Sequence, residues 1–80
     1  MYQKAIKLVL KDLCKKSHKS YYIIADLSGM RRQTFYDIMT KDAELKKVKD
    51  IIGLCRCFGI SPSTFFKMVE DKILLENVKN

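Results

Sequence analysis

Residues 20–39 read Ser20-Tyr21-Tyr22-Ile23-Ile24-Ala25-Asp26-Leu27-Ser28-Gly29-Met30-Arg31-Arg32-Gln33-Thr34-Phe35-Tyr36-Asp37-Ile38-Met39. This stretch predicts two short helices joined by a tight turn at Gly29. Ser20 is a good N-cap, because its hydroxyl can accept a bond from an early backbone N–H of a helix over about residues 21–27. Gly29 supplies the left-handed backbone conformation that stops that helix and redirects the chain. Ile24, Ala25 and either Leu27 or Ser28 would face inward, with Ala25 kept small by the crowding of two helices that cross within one short turn. Met30 is expected to tuck into the core. In the next helix, about residues 31–40, Phe35 and Ile38 are three apart and face inward. Arg32, Gln33, Tyr36, Asp37 and Thr40 form a coherent outward stripe.

Working outward toward the N-terminus, Ile6, Val9, Leu10 and Leu13 recur at spacings of three and four, placing them on one face of an opening helix over about residues 3–16. Lys4, Lys7, Lys11 and Lys15 form the opposite stripe. Ser17-His18-Lys19 breaks the pattern. Toward the C-terminus, Lys41-Asp42-Ala43-Glu44 is polar and reads as a loop. Leu45, Val48, Ile51, Ile52 and Cys55 then mark the buried face of a fourth helix, which Phe58-Gly59 ends. Ser61 and Pro62 open a fifth: Ser61 caps it, and Pro62 occupies the first turn, where its missing N–H costs nothing. Phe65, Phe66, Val69, Ile73 and Leu74 are its apolar side, and it runs to about residue 78, longer than one small core requires. With no convincing strand, internal repeat or low-complexity tract, the expected fold is all-α, a compact bundle of about five helices forming one domain over residues 1–80.

Eighty residues bury only roughly 60–65 % of the surface their unfolded chain exposes, so a single core is all this chain can build and a large enclosed active site is excluded. The composition, 48 % hydrophobic and 31 % charged with three Gly and one Pro, is that of an ordered domain. Net charge is +7. Residues 1–60 carry 13 Lys or Arg against six Asp or Glu, while residues 61–80 carry three of each. The excess positive charge therefore lies in residues 1–60, the part of the chain that contains the two-helix stretch, where a basic surface would attract phosphates and release counterions. Lysines that merely solvate helix faces would produce the same count.

Cys14, Cys55 and Cys57 are an odd number of thiols, and no targeting or membrane-spanning segment is visible; a reducing cytoplasm is the expected location. A structural zinc site needs four ligands, and beyond the cysteines only His18 is at hand, so Cys55 reads as a core residue and Cys57 as its partly buried neighbour. No metal or cofactor is expected. His18 reads as a solvated loop residue. Neither a base-and-nucleophile motif, a Gly-rich phosphate loop nor a paired-carboxylate signature is present, so an enzyme is not expected. Tyr21 and Tyr22, at the start of a helix, read as one phosphate donor and one packing residue rather than as stacking platforms for single strands.

The sequence resembles the lambda-repressor-like (Cro and phage repressor, XRE-type) helix-turn-helix family. The likeness lies in Ile24-Ala25, Ser28-Gly29-Met30, Arg31-Arg32-Gln33-Thr34-Phe35 and Ile38, then in Phe58-Gly59-Ile60-Ser61 and Phe65-Phe66, and it covers about residues 4–68. The chain departs from that family in carrying Thr40-Lys41 where Asn-Gly is common, in lacking a Pro before the fourth helix, and in carrying Lys19 at a position often apolar. The resemblance implies a homodimeric regulator of transcription on double-stranded DNA, with the helix at about 31–40 in the major groove. Carried over by position, Arg31, Arg32, Gln33 and Asp37, with Tyr36 beside them, are base-reading candidates, and Tyr21, Thr40 and Lys41 are phosphate candidates. The chemistry suits the roles: Arg bonds guanine bidentately, Gln reads adenine and Asp accepts from the cytosine amino group. Asp37 is expected to orient an Arg or to select against some bases rather than to add affinity. Phe66, Val69, Ile73 and Leu74 are candidates for the dimer surface on the C-terminal helix of residues 61–80. Repression by occlusion is the economical expectation, with no small-molecule effector. The alternative is a protein-interaction module on the same scaffold, docking a partner through Tyr36, Met39 and the C-terminal apolar stripe without binding DNA.

Overall fold

The computed structural model describes residues 2–41 and 43–79. It contains five helices and, among the described residues, no strand: α1 (Tyr2–Ser17), α2 (Tyr21–Ser28), α3 (Arg32–Thr40), α4 (Val48–Phe58) and α5 (Pro62–Lys79). Asp42, part of the expected loop, lies outside the described residues.

On α1 the buried side chains are Ala5, Ile6, Val9, Leu10, Leu13 and Cys14, a double stripe that packs on α5 and α3. Lys72 of α5 reaches Asp12 of α1 at 2.9 Å and ties the two helices at their solvent edge. The core continues through Ile24, Ala25, Met30, Phe35, Ile38, Met39, Leu45, Leu54, Cys55, Phe65 and Val69. Burial pushes the Cys14 thiol up to about 11, with Cys57 nearby adding to the shift, so Cys14 stays a protonated core residue at neutral pH. Cys55 is buried and Cys57 half-buried.

Local chemistry sets the helix ends. Ser20 caps α2 by accepting from the Ile23 N–H, and Ser61 accepts from the Thr64 N–H at the start of α5. Gly29 (φ 74°) and Gly59 (φ 70°) end α2 and α4 in the left-handed region. At each end two backbone bonds close the same motif: Gly29 N–H to Asp26 O with Met30 N–H to Ala25 O, and Gly59 N–H to Arg56 O with Ile60 N–H to Cys55 O. His18, after α1, adopts φ 58° without being a glycine and remains exposed.

Two expectations need correction, and the open choice between Leu27 and Ser28 is resolved. The fourth helix begins at Val48, because Leu45 lies in an irregular segment whose backbone is held from α1: Gln3 Oε1 accepts from the Leu45 N–H at 3.0 Å and Gln3 Nε2 donates to the Leu45 carbonyl at 3.3 Å. Leu45 is buried there, while Val48 (69 % exposed) and Ile52 (38 %) face solvent. The inward face of α4 is Ile51, Leu54, Cys55 and Phe58, the i, i+3, i+4, i+7 set. At the end of α2, Ser28 turns inward and Leu27 outward. On α5, Val69 is 1 % exposed and so is not free to meet a second chain; Ile73 is half-buried against the core, and Phe66 and Leu74 are exposed, as is Leu75.

The Ser28–Leu27 choice has a steric cause. A Cβ added to Gly53 would overlap the Ser28 carbonyl oxygen and crowd its carbon, so the end of α2 rests directly on the backbone of α4. The Ser28 hydroxyl is buried at this approach with no hydrogen-bond partner. Alanine is preferred to glycine in a helix by about 1 kcal/mol, but overpacking against rigid backbone costs about 1–3 kcal/mol, and here the obstacle is a carbonyl group. Gly53→Ala is therefore expected to lower stability in denaturant unfolding. Ser28→Ala, which deletes only an unpaired hydroxyl, should leave stability unchanged or raise it.

Candidate nucleic-acid interface

Phe35, Ile38 and Met39 seat α3 in the core, and Tyr21 at the start of α2 meets Phe35 edge-on with ring centroids 5.7 Å apart. These anchors fix the rotation of α3 about its axis. Arg31, Arg32, Gln33, Tyr36 and Thr40 are consequently exposed on the far side, with Asp37 half-exposed among them. Met39 is 2 % exposed, so it offers no docking surface to a protein partner.

The exposed side chains hold one another. Arg32 Nε donates to Asp26 Oδ1 at 3.1 Å and Arg32 Nη2 to Asp26 Oδ2 at 2.8 Å, across the turn between α2 and α3. The guanidinium also lies 5.5 Å from the centroid of the Tyr22 ring, within cation–π reach. Hydrogen bonding to Arg32 holds the Asp26 carboxyl below its ordinary range, and the same bond raises Arg32. Gln33 Nε2 donates to Asp37 Oδ1 at 2.8 Å, and Lys41 Nζ stands 3.5 Å from the same oxygen. Asp37 thus orients a glutamine and a lysine rather than the expected arginine. The arginine's partner is Asp26. The Thr40 hydroxyl donates to the Tyr36 carbonyl at 2.7 Å, so its proton is already used and it is not a free donor to phosphate.

Cations flank both ends of α3. Arg31 and Lys47 occupy the N-cap positions of α3 and α4, and neither side chain caps its helix, leaving first-turn N–H groups beside positive charge. Between these two helix starts lies a polar cleft of about 360 Å³ lined by Met30, Arg31, Thr34, Lys47, Lys49 and Asp50. Asp50, in the first turn of α4, is the one buried charged residue among the described residues. At the other end of α3, Lys7 Nζ donates to the Lys41 carbonyl at 3.0 Å, beside a second cleft of about 410 Å³ that Lys4 and Lys41 also line. Of these, the sequence places Lys7 on the lysine stripe of the opening helix, while Lys47 and Lys49 are visible there only as part of the basic excess.

No protein-family model, curated protein or solved structure matches this chain. The likeness to helix-turn-helix regulators therefore rests on the residues themselves. Among the described residues no helix is long and apolar enough to cross a membrane.

The Asp26–Arg32 pair carries a checkable sign. A carboxylate whose pKa is lowered on folding favours the folded state above its unfolded pKa, and that contribution is lost as pH falls through the lowered value. Asp26 should therefore titrate below 3.8 in a carboxyl-carbon NMR titration, and Arg32→Ala should return it toward 3.8. An Asp26 midpoint unaffected by Arg32→Ala would mean that the pair does not form in solution.

Proposed function

We propose that this protein is a sequence-specific double-stranded DNA-binding regulator that places α3 in the major groove. The observation that carries the proposal is the outward face of α3: hydrogen-bonding side chains held in fixed positions, on a helix anchored by three buried residues, with cations at both ends. A helix of nine residues is about 13 Å long, close to the roughly 12 Å width of the major groove. Arg31, Lys47 and Lys49 would meet one phosphate backbone, Lys7 and Lys41 the other. Between them, Arg32 and Gln33 keep groups suited to base edges. Gln33 spends one amide N–H on Asp37 and retains the other with its carbonyl oxygen, the pair that adenine requires. Tyr36 and Asp37 complete the reading face, and Tyr21 stands at the start of α2 toward the backbone.

A second copy would dock through Phe66 and Leu74 of α5, presenting two readers one turn of duplex apart, roughly 34 Å. Occupation of an operator by such a dimer would repress by excluding polymerase.

Selection from random duplexes tests DNA binding, specificity and half-site spacing together. Gln33→Ala should relax choice at one position, costing about 1–3 kcal/mol there. Arg32→Ala should relax a different position. Lys41→Ala should weaken all duplexes alike and lower the salt slope by about one unit. A parent chain that shifts no duplex at moderate salt would end the proposal. Equal binding of the parent and the Arg32 variant across the library would end the base-reading role of that residue.

A further inference from the structure

The arginine fork has five N–H donors, and its geometry decides what a bound carboxylate leaves available. Asp26 takes the side edge of Arg32, formed by Nε–H and one Nη2–H. The end edge, one hydrogen on Nη1 and the remaining one on Nη2, stays open. Its two parallel N–H donors match O6 and N7 of guanine in the major groove. Asp26 holds the guanidinium by two hydrogen bonds, and the Tyr22 ring, its centroid 5.5 Å from the guanidinium carbon, adds a cation–π contact. An exposed ion pair adds little to stability, so holding the fold together does not account for a three-residue arrangement in which every member is exposed. What it does achieve is preorganisation, because a long side chain that is already ordered loses less entropy on binding.

We infer that Asp26 and Tyr22 are positioning residues that present the end edge of Arg32 to a guanine, so that a G·C pair faces the first turn of α3. This rests on the proposed DNA-reading role of α3 and names the base that one of its residues takes. Asp26 also cancels the charge of Arg32. A free arginine at this position would bind phosphate or any accepting base edge, whereas the paired one is selective without adding net attraction. The carboxylate exchanges affinity for discrimination.

The test uses the full chain, the duplex recovered by selection, and the same duplex with each G·C pair replaced in turn. Arg32→Ala should abolish the preference for guanine at one position. Asp26→Ala should weaken the preference at that same position about tenfold, the lower part of what a bidentate contact discriminates. It should also tighten binding to unrelated duplexes and steepen the salt dependence, because one cation is released to find phosphate. Asp26→Glu, which keeps a carboxylate, should retain more of the preference than Asp26→Ala, and Tyr22→Leu should weaken it at the same position. All three side chains are exposed, so circular dichroism should be unchanged. Asp26→Ala binding every duplex more tightly, with its guanine preference intact, would overturn the inference and make the pair a lock on Arg32. An unchanged preference profile in Asp26→Ala would overturn it as well, while leaving DNA binding by α3 standing. A parent chain that binds no duplex would overturn both.

Discussion

The approach of the α2 C-terminus to the backbone of α4 is the constraint on which the rest of the molecule depends. Ser28 can lie against α4 only because residue 53 has no Cβ, and that proximity sets where α2 ends in space. Gly29 follows immediately and turns the chain with φ 74°, so the origin of α3 is fixed by a contact made one residue earlier. Phe35, Ile38 and Met39 then lock its rotation. A larger residue at 53 would push α2 outward and carry the turn, and hence the whole exposed face of α3, with it. The position and the orientation of that face are thus set separately, one by a backbone contact and the other by three side chains.

How much of this could be read from sequence depends on how far each determinant acts along the chain. Ser20, Gly29, Gly59 and Ser61-Pro62 act within a few residues, and all of them end or begin helices where their own chemistry requires. The start of α4 was misplaced because its determinant is remote. Gln3 satisfies both backbone groups of Leu45 across 42 residues, giving that segment an alternative to helix that periodicity does not reveal. Gly53 was missed for a related reason: a glycine inside an apolar helical pattern carries no local sign of the neighbour that demands it. Val69 was assigned outward because α5 has apolar residues around much of its circumference, and only the packing of α1 and α4 against it distinguishes Phe65 and Val69 from Phe66 and Leu74.

The exposed face was legible as a set of residues but not as a set of pairs. Gln33–Asp37 and Asp37–Lys41 follow the i, i+4 rule of a helix surface, so the sequence contained them once Arg32 was set aside. Asp26–Arg32 spans six residues and two helices, and it exists only because the turn at Gly29 brings the second half of α2 alongside the first turn of α3. Arg32 is therefore held from the preceding helix, by Asp26 and Tyr22, and not from its own.

These pairings give the net charge of +7 a more particular meaning. Two acidic residues, Asp26 and Asp37, stand among the basic groups at the centre of the surface, each hydrogen-bonded to a candidate reader. Arg31, Lys47 and Lys49 lie beyond one end of α3 and Lys7 and Lys41 at the other. Attraction to phosphate is long-ranged and insensitive to orientation, so it is best supplied from the flanks, where it draws in a duplex without favouring any base. Discrimination needs donors and acceptors held still at short range, and a carboxylate beside each reader holds it still while reducing its pull on the backbone. A uniformly basic face would bind more tightly and choose less well. On this account the carboxylates at positions 26 and 37, which look out of place on a basic nucleic-acid surface, are what would make that surface selective.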